Sequence, residues 1–83
     1  VKVQAEVSLY PLRTPSLSEA INGFLGRVRR PGLVVEVTPM STRIEGESGE
    51  LFQALREAFD AVAAGRDVVL TLTVSNACPS GQQ

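Results

Sequence analysis

Four strand-type runs separated by two helical stripes predict an α+β domain in the order β-α-β-β-α-β. The outer runs, Val1 to Leu9 and Val68 to Val74, alternate between two faces. Between them lies VVEVTPMSTRIEGE, Val34 to Glu47, which reads as a hairpin of two short strands, Val34–Thr38 and Thr42–Glu47. On either side of that hairpin apolar residues recur every three or four positions, the period of a helix. With right-handed crossovers this order gives a four-stranded antiparallel sheet, strand order 4-1-3-2, with both helices on one face. That is the ferredoxin-like plan.

Each element has its own signal. Val1, Val3, Ala5, Val7 and Leu9 share one parity and Lys2, Gln4, Glu6, Ser8 and Tyr10 the other, so the first strand is half-buried, and Pro11 is expected to break it. Ser16 with Glu19 three residues on has the form of a capping box, followed by a stripe of Leu17, Ile21, Phe24, Leu25 and Val28. Arg30-Pro31-Gly32 ends that helix, and Arg27, Arg29 and Arg30 complement its C-terminal carbonyls. Leu33, Val35 and Val37 are expected to face inward on the second strand, and Ile44 on the third. Ser48 is placed to cap a second helix with the stripe Leu51, Leu55, Ala58, Phe59 and Val62, which Gly65 terminates. In the last strand Val68, Leu70, Leu72 and Val74 alternate with Val69, Thr71 and Thr73. Residues 1–75 are therefore expected to form one ferredoxin-like domain, and 76–83, which contain Cys78, are expected to be a mobile tail.

Composition narrows the function. A chain of 83 residues buries only about 60–65% of its unfolded surface, which favours self-association. Eight basic and nine acidic residues, with no block of either sign, argue against nucleic-acid binding by bulk charge. A single cysteine permits no internal disulfide and fits a reducing, cytoplasmic setting. No apolar run approaches the ~20 residues of a membrane span, and the N-terminal segment does not read as a signal peptide. With no histidine and one cysteine, a metal site is not expected, nor is a cofactor.

The sheet face without helices is expected to carry Gln4, Glu6, Ser8, Glu36, Thr38, Arg43, Glu45 and Thr71, with Val34 and Val69 among them. Glu6 and Glu45 should lie near each other with Arg43 beside them. Such a face reads as a solvated salt-bridged surface or as an interface with a second copy. Paired carboxylates could serve acid–base chemistry, but no group to polarise a substrate stands with them, and no enzymatic activity is expected. Gly46 and Gly49 are too sparse for a phosphate loop. RNA-binding sheets stack bases on central-strand aromatics, where this chain has Glu6, Ser8, Arg43 and Glu45. An acylphosphatase-like enzyme would want an arginine cradled after the first strand; Arg13 is near that place, in a proline-interrupted loop without a suitable asparagine. The topology instead gathers the end of the first strand (Tyr10), the start of the first helix (Ser18) and the elbow from Thr38 to Thr42 at one end of the sheet.

Those segments carry a family resemblance. AEVSLYPL at Ala5–Leu12, the Ser18-Glu19 helix start, VTPMSTRIEGE at Val37–Glu47 and the Phe52–Ala64 helix together resemble the YkoF-like thiamine-binding family. The likeness runs from Val3 to about Ser75 and departs from the family at Arg43 and at Ser75-Asn76-Ala77-Cys78. It implies a non-enzymatic binder of thiamine or its hydroxymethylpyrimidine moiety, acting as cytoplasmic carrier, buffer or sensor. It also implies homodimers or homotetramers formed through the sheets. Carried over, the pocket would involve Tyr10, Ser18, Thr38, Met40, Thr42 and Glu45 or Glu6. The alternative is an ACT-like regulatory or scaffolding module whose main partner is another protein.

Overall fold

The computed structural model describes residues 1–77, so the expectations for Cys78 and for most of the tail lie outside the described residues. The order is β1 (Lys2–Leu12), α1 (Leu17–Val28), β2 (Val34–Val37), β3 (Thr42–Glu47), α2 (Ser48–Ala63) and β4 (Asp67–Ser75). The strands form one antiparallel sheet in the order β2-β3-β1-β4, the ferredoxin-like arrangement that the element order predicts. Val3, Ala5 and Val7 of β1 and Ile44 of β3 share the face that both helices cover. They close a core with Phe24 and Val28 of α1 and with Leu51, Leu55, Ala58 and Val62 of α2. Burying each of these larger apolar side chains contributes about 1.5–3 kcal/mol relative to leaving it in water.

Several local expectations are corrected. Pro11 does not end β1, which runs on to Leu12 while paired with β4. The reason lies on the other side of the strand: pairing with β3 stops at Val7↔Thr42, so from Ser8 onward β1 is an edge, where a missing N–H is tolerated. The capping box does not form. Ser16 caps α1 through its carbonyl, which accepts from the Ala20 N–H at 3.2 Å, while its side chain makes no capping bond. Glu47, not Ser48, is the N-cap of α2, again without a side-chain bond.

The buried stripe of α1 is Ala20, Phe24 and Val28, rotated from the expected one, and Leu17 and Ile21 stay 50% and 39% exposed. In α2 the unremarked Ala54 is buried alongside the expected Leu51, Leu55, Ala58 and Val62. Val37 has the inward parity but is half exposed, because it pairs with Thr42 beyond the well-packed middle of the sheet. Other readings hold. Arg27 and Arg30 donate to the Gly23 and Arg27 carbonyls of α1, and Gly65 takes the left-handed φ of +78° just past α2.

The glycine of the IEGE run has a structural reason. A Cβ on Gly46 would stand 2.8 Å from the Gly32 carbonyl oxygen and 2.5 Å from Leu33 Cδ2. The turn before β2 is therefore laid directly on β3, and only glycine leaves room for it.

Candidate functional site

β1 is longer than its partner β3, and this mismatch builds a recess. Past Val7 the β3 side of β1 has no paired strand, although β4 stays paired on the other side as far as Leu12↔Asp67. Residues 38–41 fold back across the gap. The Thr38 hydroxyl holds that elbow: it accepts from the Ser41 N–H at 3.0 Å and donates to the Ser41 carbonyl at 2.8 Å. A backbone bond from Thr38 N–H to the Ser41 carbonyl, 2.8 Å, closes the same turn. Helix α1 forms the remaining wall.

The space enclosed is about 220 Å³. Val7, Ser8, Leu9 and Tyr10 line it from β1, Ile21, Phe24 and Leu25 from α1, and Pro39 to Thr42 from the elbow. Phe24 is buried, whereas Tyr10 and Met40 stand at the mouth, 51% and 86% exposed. Polar groups are few. Ser41 donates through Oγ to Glu6 Oε2 at 3.0 Å, which turns the hydroxyl's lone pairs toward other donors. Ser8 Oγ lies 3.5 Å from the Met40 carbonyl, a long contact that leaves it free to serve a ligand. The lining contains no lysine, arginine, aspartate or glutamate.

The structure thus brings together three of the seven residues named from the sequence: Tyr10, Met40 and Thr42. Ser18 is exposed in the first turn of α1 and does not line the recess. Thr38 shapes the elbow from behind. Glu6 and Glu45 project from the uncovered face of the sheet. There the cross-strand register sets Glu6 opposite Arg43 and Glu45 opposite Gln4, so the two carboxylates are diagonal neighbours. Gln4 donates to Glu45 at 2.9 Å, and Arg43 lies 3.9 Å from Glu36 on its other side. Glu6 reaches the recess only through Ser41. The sequence reading missed Ser8, Ser41 and the floor residues Ile21, Phe24 and Leu25. The strand-length mismatch that exposes Ser8 is set by register, which the alternation of a strand does not reveal.

Two other chemistries are located as well. Arg13, at φ +50°, forms an ion pair with Asp67 at 2.7 Å on the surface beside the end of β1. Among the described residues no group of three or more cysteine, aspartate or glutamate side chains is placed to hold a metal ion. No described helix is long and apolar enough to cross a membrane.

A ferredoxin-like domain with a half-apolar recess at the free end of its first strand is the class that fold and geometry define. Within it, the chain belongs to the YkoF-related family, whose model matches residues 2–81. Among solved structures it is similar to a hypothetical protein of Methanocaldococcus jannaschii, with 31% identity and a TM-score of 0.82 over 99% of this chain and 84% of that one. It is also similar to a Thermotoga maritima protein put forward as a thiamine biosynthesis/salvage protein, with 25% identity, a TM-score of 0.77 and coverage of 89% and 82%. A Bacillus cereus domain of unknown function matches at 25% identity and a TM-score of 0.77, over 89% of this chain and 74% of that one. No curated protein matches the chain.

Proposed function

We propose that the recess binds thiamine, or its hydroxymethylpyrimidine moiety, without transforming it, and that the protein serves as a carrier, buffer or sensor of that ligand. The observation that carries this reading is the joint placement of Tyr10, Phe24 and Met40 with the Ser8, Ser41 and Thr42 hydroxyls around about 220 Å³. A flat aminopyrimidine suits such walls: aromatic and thioether surfaces pack on its faces, and a few hydroxyls meet its edge. Ser41, donating to Glu6, offers an acceptor to the exocyclic amine. The volume is below the ~300 Å³ at which drug-sized pockets begin, so one ring enters and the second stays at the mouth. A cationic thiazolium there would lie on the side of Glu6. Without a cation in the lining, the unphosphorylated ligand is favoured over its phosphate esters.

The description of the Thermotoga relative supports the ligand class, and the family membership supports the comparison. The uncovered sheet face, with Val34 64% exposed beside alternating Glu36, Arg43 and Glu6, is the surface proposed to meet a second copy. Thermal unfolding and calorimetry test the ligand. Thiamine or hydroxymethylpyrimidine at 100 times its dissociation constant adds about 2.7 kcal/mol to unfolding, and thiamine diphosphate at the same concentration as thiamine adds less. Tyr10→Ala and Met40→Ala should abolish most of that gain. An unfolding curve indifferent to both compounds sinks the proposal.

A further inference from the structure

Hydrogen-bond directions at the elbow fix the polarity of one hydroxyl in the recess. Thr38 Oγ1 gives its single hydrogen to the Ser41 carbonyl at 2.8 Å. Its lone pairs already receive the Ser41 N–H at 3.0 Å and the Met40 N–H at 3.4 Å. A hydroxyl has one hydrogen and two lone pairs, so Thr38 has nothing left to exchange with Ser41 Oγ, 3.4 Å away. The Ser41 hydrogen therefore goes to Glu6 Oε2 at 3.0 Å, a charge-assisted bond. An ionised carboxyl only accepts, so this direction does not reverse.

Ser41 Oγ is left with lone pairs and no hydrogen for whatever enters the recess that it lines. Ser8 differs. Its hydroxyl makes only the long 3.5 Å approach to the Met40 carbonyl and can turn to give or to accept. The fold brings the controlling pair together from distant positions. Glu6 stands on β1 one step before the β3 ladder ends at Val7↔Thr42, and the elbow carries Ser41 back to it.

We propose that Glu6, acting through Ser41, makes the recess select a pyrimidine that presents an N–H at this point and refuse one that presents an oxygen. This rests on the ligand class proposed above and narrows it to the amino form. The exocyclic amine gives a hydrogen to Ser41 Oγ. An oxo group in its place sets lone pair against lone pair and leaves both oxygens without a donor. The two rings have nearly the same size and shape, so the walls formed by Tyr10, Phe24 and Met40 do not tell them apart. Glu6 is a positioning residue here: it touches Ser41, and Ser41 touches the ligand.

Calorimetric titration of the full chain with hydroxymethylpyrimidine, and with its counterpart carrying an oxo group for the amine, tests this. Neither compound carries a thiazolium, so attraction between that cation and the Glu6 charge does not enter. The wild type should bind the amino form at least about tenfold more tightly. Glu6→Gln should bring the ratio within about threefold, because a carboxamide can give as well as accept and lets the Ser41 hydroxyl turn. Ser41→Ala should do the same, and in that background Glu6→Gln should change the ratio no further. This cycle isolates action through Ser41, whereas a merely structural role would weaken both compounds alike. Unfolding curves without ligand check that each variant folds. A wild type that binds the oxo form as tightly as the amino form overturns the inference and leaves the proposed function standing. So does an unchanged ratio in Glu6→Gln, or a Glu6→Gln effect that persists in Ser41→Ala. A wild type that binds neither compound overturns both.

Discussion

The two ends of the helix-covered side of the sheet are made from similar residues and end in opposite states. At the end where β3 runs beside β1, Val3, Val28, Ile44 and Leu51 are at most 7% exposed. At the other end Leu17, Ile21 and Met40 are 39% to 86% exposed. Composition does not separate them. What does is that β3 stops at Thr42 while β1 continues to Leu12, so no strand backs the second set and α1 closes over a gap. One end is core; the other is left with apolar walls and little to fill them, which is the condition for taking up a flat ligand.

Substitutions at the closed end should be costly and indifferent to ligand. Leu51→Ala removes a side chain with no exposed surface and should lower unfolding free energy by about 2–5 kcal/mol in urea titrations. Gly46→Ala, which drives a methyl group against the Gly32 carbonyl, should cost about 1–3 kcal/mol by the same measurement. A Gly46→Ala protein of wild-type stability would show that the turn over β3 yields easily.

At the open end the order reverses, with binding suffering more than stability. Thr38→Val removes the hydroxyl that holds the elbow and should cost about 1 kcal/mol, with a further loss of thiamine affinity because Met40 and Ser41 are no longer held in place. Met40→Ala should change stability by less than about 0.5 kcal/mol, yet weaken calorimetric binding. Equal losses at both ends would erase the contrast.

The smallest effect concerns pH. The Arg30 guanidinium, helped by the Gln53 amide, holds the Glu57 carboxyl below its usual 4.5. A carboxyl depressed in the folded state stabilises above its unfolded value and loses that contribution as pH falls through the folded one. Glu57→Gln should therefore be slightly less stable than wild type at pH about 7, and in urea midpoints the difference should shrink as pH falls below the usual 4.5. The salt bridge is solvent-exposed, so the gap should be small.

The legibility of the molecule divides along the same line. Strand alternation and helical period reveal the element order, because burial on one face imposes them directly. The elbow Pro39-Met40-Ser41 is legible as a pocket wall because it is short and mixed in character, and its neighbours Tyr10 and Thr42 follow from topology. The helix floor is not. Ile21, Phe24 and Leu25 all lie on the expected apolar stripe of α1, but helical period does not say that these three face a gap beside β1 and not the filled core. Ser8 and Ser41 stay hidden for a related reason, since each matters only once β1 is known to outrun β3. Ser18 and Thr38 show the converse: a hydroxyl in the right segment can cap, brace or face solvent, and the sequence does not say which.

The most direct test is a thiamine titration followed by amide resonances of the isotope-labelled chain. The shifts should cluster at Ser8 to Tyr10, Ile21 to Leu25 and Met40 to Thr42, with the Val3, Ile44 and Leu51 amides unmoved. Shifts centred on Gln4, Arg43 and Thr73 of the uncovered face, or none at saturating ligand, would contradict the account.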